Sequence, residues 1–145
     1  MADEYKKYRE DPEYNGFKED GTPLKLLIVD DSLAIRKVIR RIAEGVGYEV
    51  VAEASNGKEA ELMYTKFLPD IVTMDITMPD VEGDEALEMI IRNDPDARIV
   101  MLTSIGHKEA VKNAIIKGAK GYIVKPIIGD QIPKLLKTLK RAAKK

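Results

Sequence analysis

The chain has 145 residues, 44% of them hydrophobic and 34% charged, with a formal net charge of −1 and no cysteine. That length predicts one domain whose core needs no covalent staple, and the missing cysteines exclude disulfides, thiolate nucleophiles and cysteine-ligated metals and suit a reducing, cytoplasmic setting. The balanced charge argues against general nucleic-acid attraction, although Lys134 to Lys145 is locally basic, and no apolar run reaches the roughly 18 residues of a membrane span or forms the core of a signal peptide.

Residues 1–23 carry Tyr5, Tyr8, Tyr14 and Phe17 without a helical or strand period and end in the turn-like Asp20-Gly21-Thr22-Pro23. They read as a polar, partly disordered N-terminal extension, leaving 24–145 as the domain. Lys25-Leu26-Leu27-Ile28-Val29 is a continuous apolar run that stops at Asp30-Asp31, as a strand buried on both faces should. Ser32 is placed to cap a helix in which Ala34, Ile35, Val38, Ile39 and Ile42 recur at helical spacing until Gly45 and Gly47.

The alternation repeats. Tyr48 to Ala54 reads as a strand, and Gly57 to Phe67 as a helix with Ala60, Met63, Tyr64 and Phe67 inward, closed by Leu68-Pro69. Asp70 to Asp75 reads as a third strand, followed by a loop through Pro79 and Gly83 and a helix from Asp84 to about Asn93. Ala97 to Leu102 and Gly121 to Val124 are the last strands, with helices from Lys108 to Lys117 and from about Asp130 to Ala143. Strands joined by single helices should be parallel with right-handed crossovers, so the prediction is a single-domain (βα)5 α/β fold whose strand ends share one rim.

Polar residues stand where the apolar strands stop: Asp30 and Asp31, Asp75, Thr103 and Lys125. An open parallel sheet binds ligands where strand order reverses, and if the first and third strands are neighbours there, three carboxylates meet. Such a cluster calls for a hard cation. Mg2+ fits best, because it takes one or two carboxylates, keeps waters and accepts phosphate oxygens. Asp75 would then be a nucleophile toward phosphorus, with the Lys125 ammonium and the Thr103 hydroxyl neutralising charge on the phosphoryl oxygens.

Leu27-Ile28-Val29-Asp30-Asp31-Ser32, Asp75-Ile76-Thr77-Met78-Pro79, Thr103-Ser104 and Lys125-Pro126 together resemble response-regulator receiver domains, over about Leu24 to Lys140. The chain stops where a receiver stops, which resembles the single-domain chemotaxis regulators. The resemblance implies a doubly wound, flavodoxin-like sheet of order 2-1-3-4-5. It makes Asp75 the phosphoacceptor, and Asp31, Asp75 and the Thr77 backbone carbonyl the Mg2+ ligands, with Asp30 helping through water. It makes Thr103 and Tyr122 the switch pair, lets Lys125 reach the phosphoryl oxygens, and implies a cis Lys125-Pro126 peptide. Thr77 and Ile105 would flank the path of attacking water. The implied partners are a histidine kinase, of the chemotaxis type, a flagellar motor switch protein or another protein target, and a phosphatase. The domain is expected to be a monomer and not an enzyme beyond its own phosphotransfer and dephosphorylation. Val81-Glu82-Gly83 departs from the family's usual Met-Asp-Gly.

Three rival readings use the same residues. A Mg2+-dependent phosphohydrolase would use Asp75-Ile76-Thr77 as its nucleophile segment but lacks a second aspartate at Thr77, hence a general acid. A flavodoxin-like cofactor binder would need phosphate donors where Asp30-Asp31 stand. A stand-alone phosphorelay receiver outside chemotaxis shares every motif. His107, the only histidine, is assigned no role. Met63, Met74, Met89 and Met101 read as core, Met78 is ambiguous, and Asp80, Glu82, Asp84 and Glu85 read as a solvated loop and helix start. The lysines of the last helix read as solvated, or as a face for an acidic partner together with Lys108, Val111 and Tyr122.

Overall fold

The computed structural model describes residues 2–78, 83–104 and 107–144; Pro79, Asp80, Val81, Glu82 and Ile105, which figure in the expectations above, lie outside them. Five parallel strands, β1 (Lys25–Val29), β2 (Glu49–Ala54), β3 (Ile71–Asp75), β4 (Ile99–Thr103) and β5 (Gly121–Val124), form one sheet in the order β2-β1-β3-β4-β5. After a short N-terminal helical turn at Ala2–Tyr5 and α1 (Lys6–Arg9), the crossovers are α2 (Leu33–Gly45), α3 (Gly57–Phe67), α4 (Gly83–Asn93) and α5 (Lys108–Ile116), and α6 (Gln131–Lys144) closes the fold. The expected doubly wound order is therefore observed.

The apolar runs explain the layers. In β1, Leu26, Leu27, Ile28 and Val29 are all fully buried, because alternate residues face two different helix layers. Leu26 and Ile28 join Ile71, Val100, Leu102 and Ile123 under α2 and α6, which contribute Ile39, Ile42, Leu135, Leu136 and Leu139. Leu27 and Val29 join Val72, Met74, Ile99 and Met101 under α3, α4 and α5, with Ala60, Tyr64, Leu87, Ile90 and Ala114. Met74 and Met101 are core as expected, and Met78 is buried too. Ser32 caps α2 as expected, its side chain accepting from the Ile35 N–H, and at α3 the Asn56 side chain accepts from the Glu59 N–H.

The expectations for Phe67 and Lys140 need correction. Phe67 is exposed rather than inward: α3 stops there at left-handed Leu68 (φ 45°), so no further turn covers the ring, and the Lys66 ammonium stands 5.4 Å from its centroid. Residues 2–23 run as a strap against the domain. Tyr5 is buried in the α2/α6 core, Gly16 N–H donates to Val46 O at 3.0 Å, and Leu24 N–H donates to Gly16 O at 2.7 Å. Its anchors are rings set against glycines. A Cβ on Gly45 would strike the Tyr5 ring, and one on Gly47, which also holds φ at 113°, would strike the Phe17 ring. Lys140, expected in solvent, is buried, and its ammonium donates to Asn15 Oδ1 (2.6 Å), Phe17 O (2.8 Å) and Asn15 O (2.9 Å) of the strap. Burial, helped by nearby Lys144, holds this ammonium below the ordinary lysine range.

Candidate functional site

The chain turns one way from β1 to β2 and the other way from β2 to β3, so strand order reverses between β1 and β3. Because Val29 is in register with Met74, the residues that follow them, Asp30 and Asp75, come to the rim side by side. Oxygens of Asp30, Asp31 and Asp75 lie within 4.8 Å of one another. Lys125, carried past the end of β5, reaches back between two of them: its Nζ is 2.8 Å from Asp30 Oδ2 and 3.2 Å from Asp75 Oδ1. The Lys125-Pro126 peptide is cis, as the resemblance implied, and the Lys125 N–H donates to Thr103 O at 2.7 Å.

The electrostatics follow from this crowding. Burial first, then the charge of Asp30, push the Asp75 carboxyl up to about 6, against the pull of Lys125. Burial alone would lower Lys125, but its contacts with Asp30 and Asp75 carry it above the ordinary lysine range. The Asp30 carboxylate is fully buried, and the Lys125 ammonium, 2.8 Å from Oδ2, is its paired cation. Three clustered carboxylates with a single ammonium between two of them form a hard-oxygen donor set that fits a divalent cation such as Mg2+.

The remaining site residues are near this cluster. The Thr77 N–H, in the loop after β3, lies 3.4 Å from Asp75 Oδ1. Gly83, which opens α4, lies so close to the Asp75 carbonyl that any side chain there would displace the backbone carrying the carboxylate, and its N–H donates to Ile76 O at 2.7 Å. Thr103 is buried at the end of β4, with its hydroxyl donating to Ser104 O at 3.1 Å rather than pointing to a carboxylate. Tyr122 is half exposed, and it lines a groove of about 400 Å3 together with Thr103, Val111 and Val124. Asp84, read as solvated, shares Lys117 with Glu88, at 3.4 Å each. His107 is exposed. Sequence reasoning passed over Arg36 and Glu53, which lie beside the Asp30 loop; a lone arginine one turn into a helix and a glutamate on an edge strand give no signal until the fold brings them together. A larger hollow of about 630 Å3 lies at the opposite end, between the strap and α6, far from these carboxylates.

The response regulator receiver domain pattern matches residues 26–137, and the chain belongs to that family. It is a receiver of the kind that serves as a phosphorylation-dependent signalling switch, not a conventional enzyme. Among its relatives, chemotaxis protein CheY of Listeria monocytogenes serovar 1/2a is 49% identical over 121 residues, covering 83% of this chain and 99% of the relative. CheY of Thermotoga maritima is 43% identical over 112 residues, covering 77% and 93%. A chain in the crystal structure of the CheX-CheY-BeF3-Mg complex from Borrelia burgdorferi superposes with a TM-score of 0.81 at 37% identity, covering 87% of this chain and 94% of that one. No helix among the described residues is long and apolar enough to cross a membrane.

Proposed function

We propose that this chain is a chemotaxis response regulator in which Asp75 accepts a phosphoryl group from a histidine kinase and the modified domain changes its affinity for a flagellar motor switch protein. The observation that carries this reading is the meeting of Asp30, Asp31 and Asp75 within 4.8 Å, with Lys125 3.2 Å from Asp75, in a chain 43% to 49% identical to proteins named CheY.

Asp75 is the nucleophile: one carboxylate oxygen bonds to phosphorus while the bond to the donor imidazole breaks, and no general base is needed because the attacking group is already an anion. Asp31, Asp75 and the Thr77 carbonyl, with Asp30 beside them, would hold Mg2+, and the ion would supply charge neutralisation on the phosphoryl oxygens. Lys125 moves its ammonium from the Asp30–Asp75 pair to the new phosphoryl oxygens. Thr103 rotates its hydroxyl from Ser104 O to the same group, and Tyr122 follows into the groove beside it. The readout needs about 1 to 3 kcal/mol of coupling, which charge-assisted hydrogen bonds from Thr103 and Lys125 supply. A protein partner for this chain is supported by the Borrelia neighbour, which was solved as a complex with CheX.

The pathway assignment is tested with a radiolabelled, autophosphorylated chemotaxis histidine kinase. Label should pass to this chain within seconds in Mg2+ and not to Asp75→Asn. Transfer from unrelated histidine kinases or phosphotransfer proteins, but not from the chemotaxis enzyme, would move the protein to another phosphorelay.

A further inference from the structure

Asp30 is held at almost every polar atom it has. Its N–H donates to Ala54 O at 3.0 Å, and its Oδ1 accepts from the Ser32 N–H at 2.9 Å. Its carbonyl accepts from Arg36 Nη1 at 2.6 Å. That last bond closes a short bracket. Arg36 lies one turn into α2, where a side chain leans back toward the helix N-terminus and so returns to the loop that precedes it. Its Nε donates at 2.9 Å to Glu53 Oε1 on β2, while Glu53 Oε2 accepts from Arg40 Nε at 2.7 Å. Although partial burial opposes it, this double pairing, Arg40 first and Arg36 second, keeps the Glu53 carboxyl below the usual range.

We propose that Arg36 is a positioning residue for the cation site: anchored on Glu53, it fixes the peptide plane between Asp30 and Asp31 and so aims the exposed Asp31 carboxylate at Asp75. The inference rests on the Mg2+ reading of the cluster made above. Only a planar guanidinium presents two donors at a fixed angle, one for the Asp30 carbonyl and one for Glu53; a lysine ammonium can satisfy one of them well. Neighbours that orient ligand-bearing groups commonly change metal affinity tenfold or more when removed. Arg40 shares the same glutamate but donates elsewhere to Glu44, not to the Asp30 loop, so it separates positioning from general ion pairing.

Calorimetric Mg2+ titration of the full chain, with thermal midpoints in chelator, gives the test. Wild type should bind Mg2+, Arg36→Gln should bind it about tenfold more weakly, and Arg36→Lys should fall between them. Arg40→Gln should keep wild-type affinity within about twofold, even where its metal-free midpoint falls as far as that of Arg36→Gln. The proposal is overturned if Arg36→Gln, or Arg36→Lys should Arg36→Gln not fold, binds Mg2+ as tightly as wild type, or if Arg40→Gln loses as much affinity as the Arg36 variant. Wild type that binds no Mg2+ would instead overturn the metal reading itself, and this proposal with it.

Discussion

Removal of residues 2–23 is expected to lower the thermal midpoint by roughly 10 °C, or about 3 kcal/mol, while leaving phosphorylation chemistry in place. The segment seats Tyr5 in the α2/α6 core and covers Leu24, Val46 and Tyr48, all of which are buried. One buried aromatic contributes about 1.5 to 3 kcal/mol, and much of that gain across the strap is offset by the entropy of ordering it. Lys140 would lose its three strap oxygens but regain water, so its share is small. The strap lies against the amino-terminal ends of β1 and β2, the end opposite to Asp75, which is why activity should survive. Thermal melts of full-length and truncated protein, each also incubated with phosphoryl donor, check both halves; an unchanged midpoint would mean that the strap is not seated in solution. Tyr5→Ala and Phe17→Ala should each reproduce part of the loss.

Asp75→Asn is expected to stabilise the metal-free protein at neutral pH. The folded-state carboxyl titrates near 6 against an ordinary 3.8, so the native state binds its proton more tightly than the unfolded chain does. Stability from this group is therefore present at pH 4 and is lost as pH rises toward 6 and above; ionised Asp75 costs up to about 3 kcal/mol at pH 7. Replacing it with a neutral amide should raise the metal-free unfolding free energy by about 1 to 2 kcal/mol at pH 7.5, since the attraction of Lys125 for Asp75 is lost as well. The gain should shrink toward zero near pH 4.5. Saturating Mg2+ should narrow or reverse the gap, because the wild type gains more from the cation than a variant lacking one of its carboxylates. Denaturant titrations of both proteins at pH 4.5 and 7.5, with and without Mg2+, settle the sign; a variant less stable than wild type at pH 7.5 in chelator would contradict the assignment of strain to Asp75.

The readability of the sequence varied with the physics of each element. The run Leu26 to Val29 could be read because a strand between two helix layers needs apolar residues at every position, and the acids that follow it marked the rim. The strand order was not contained in that pattern; it came from the family resemblance, and the meeting of Asp30 with Asp75 depends on it. The strap gives no sequence signal, because isolated rings fitted over Gly45 and Gly47 leave no period to detect. Lys140 was missed for a related reason: on the helix pattern alone it resembles its solvated neighbours, and only the strap supplies the oxygens that bury it. The Arg36–Glu53 bracket joins residues of ordinary surface type whose partnership exists only after β2 pairs with β1.

Asp75 and its carboxylate neighbours are proposed to perform Mg2+-dependent phosphoryl capture. Intact mass after incubation with acetyl phosphate, in Mg2+ and in chelator, tests it most directly. One phosphoryl adduct is expected on wild type in Mg2+, none in chelator and none on Asp75→Asn; no adduct on wild type, or an equal adduct on Asp75→Asn, would contradict that role for Asp75.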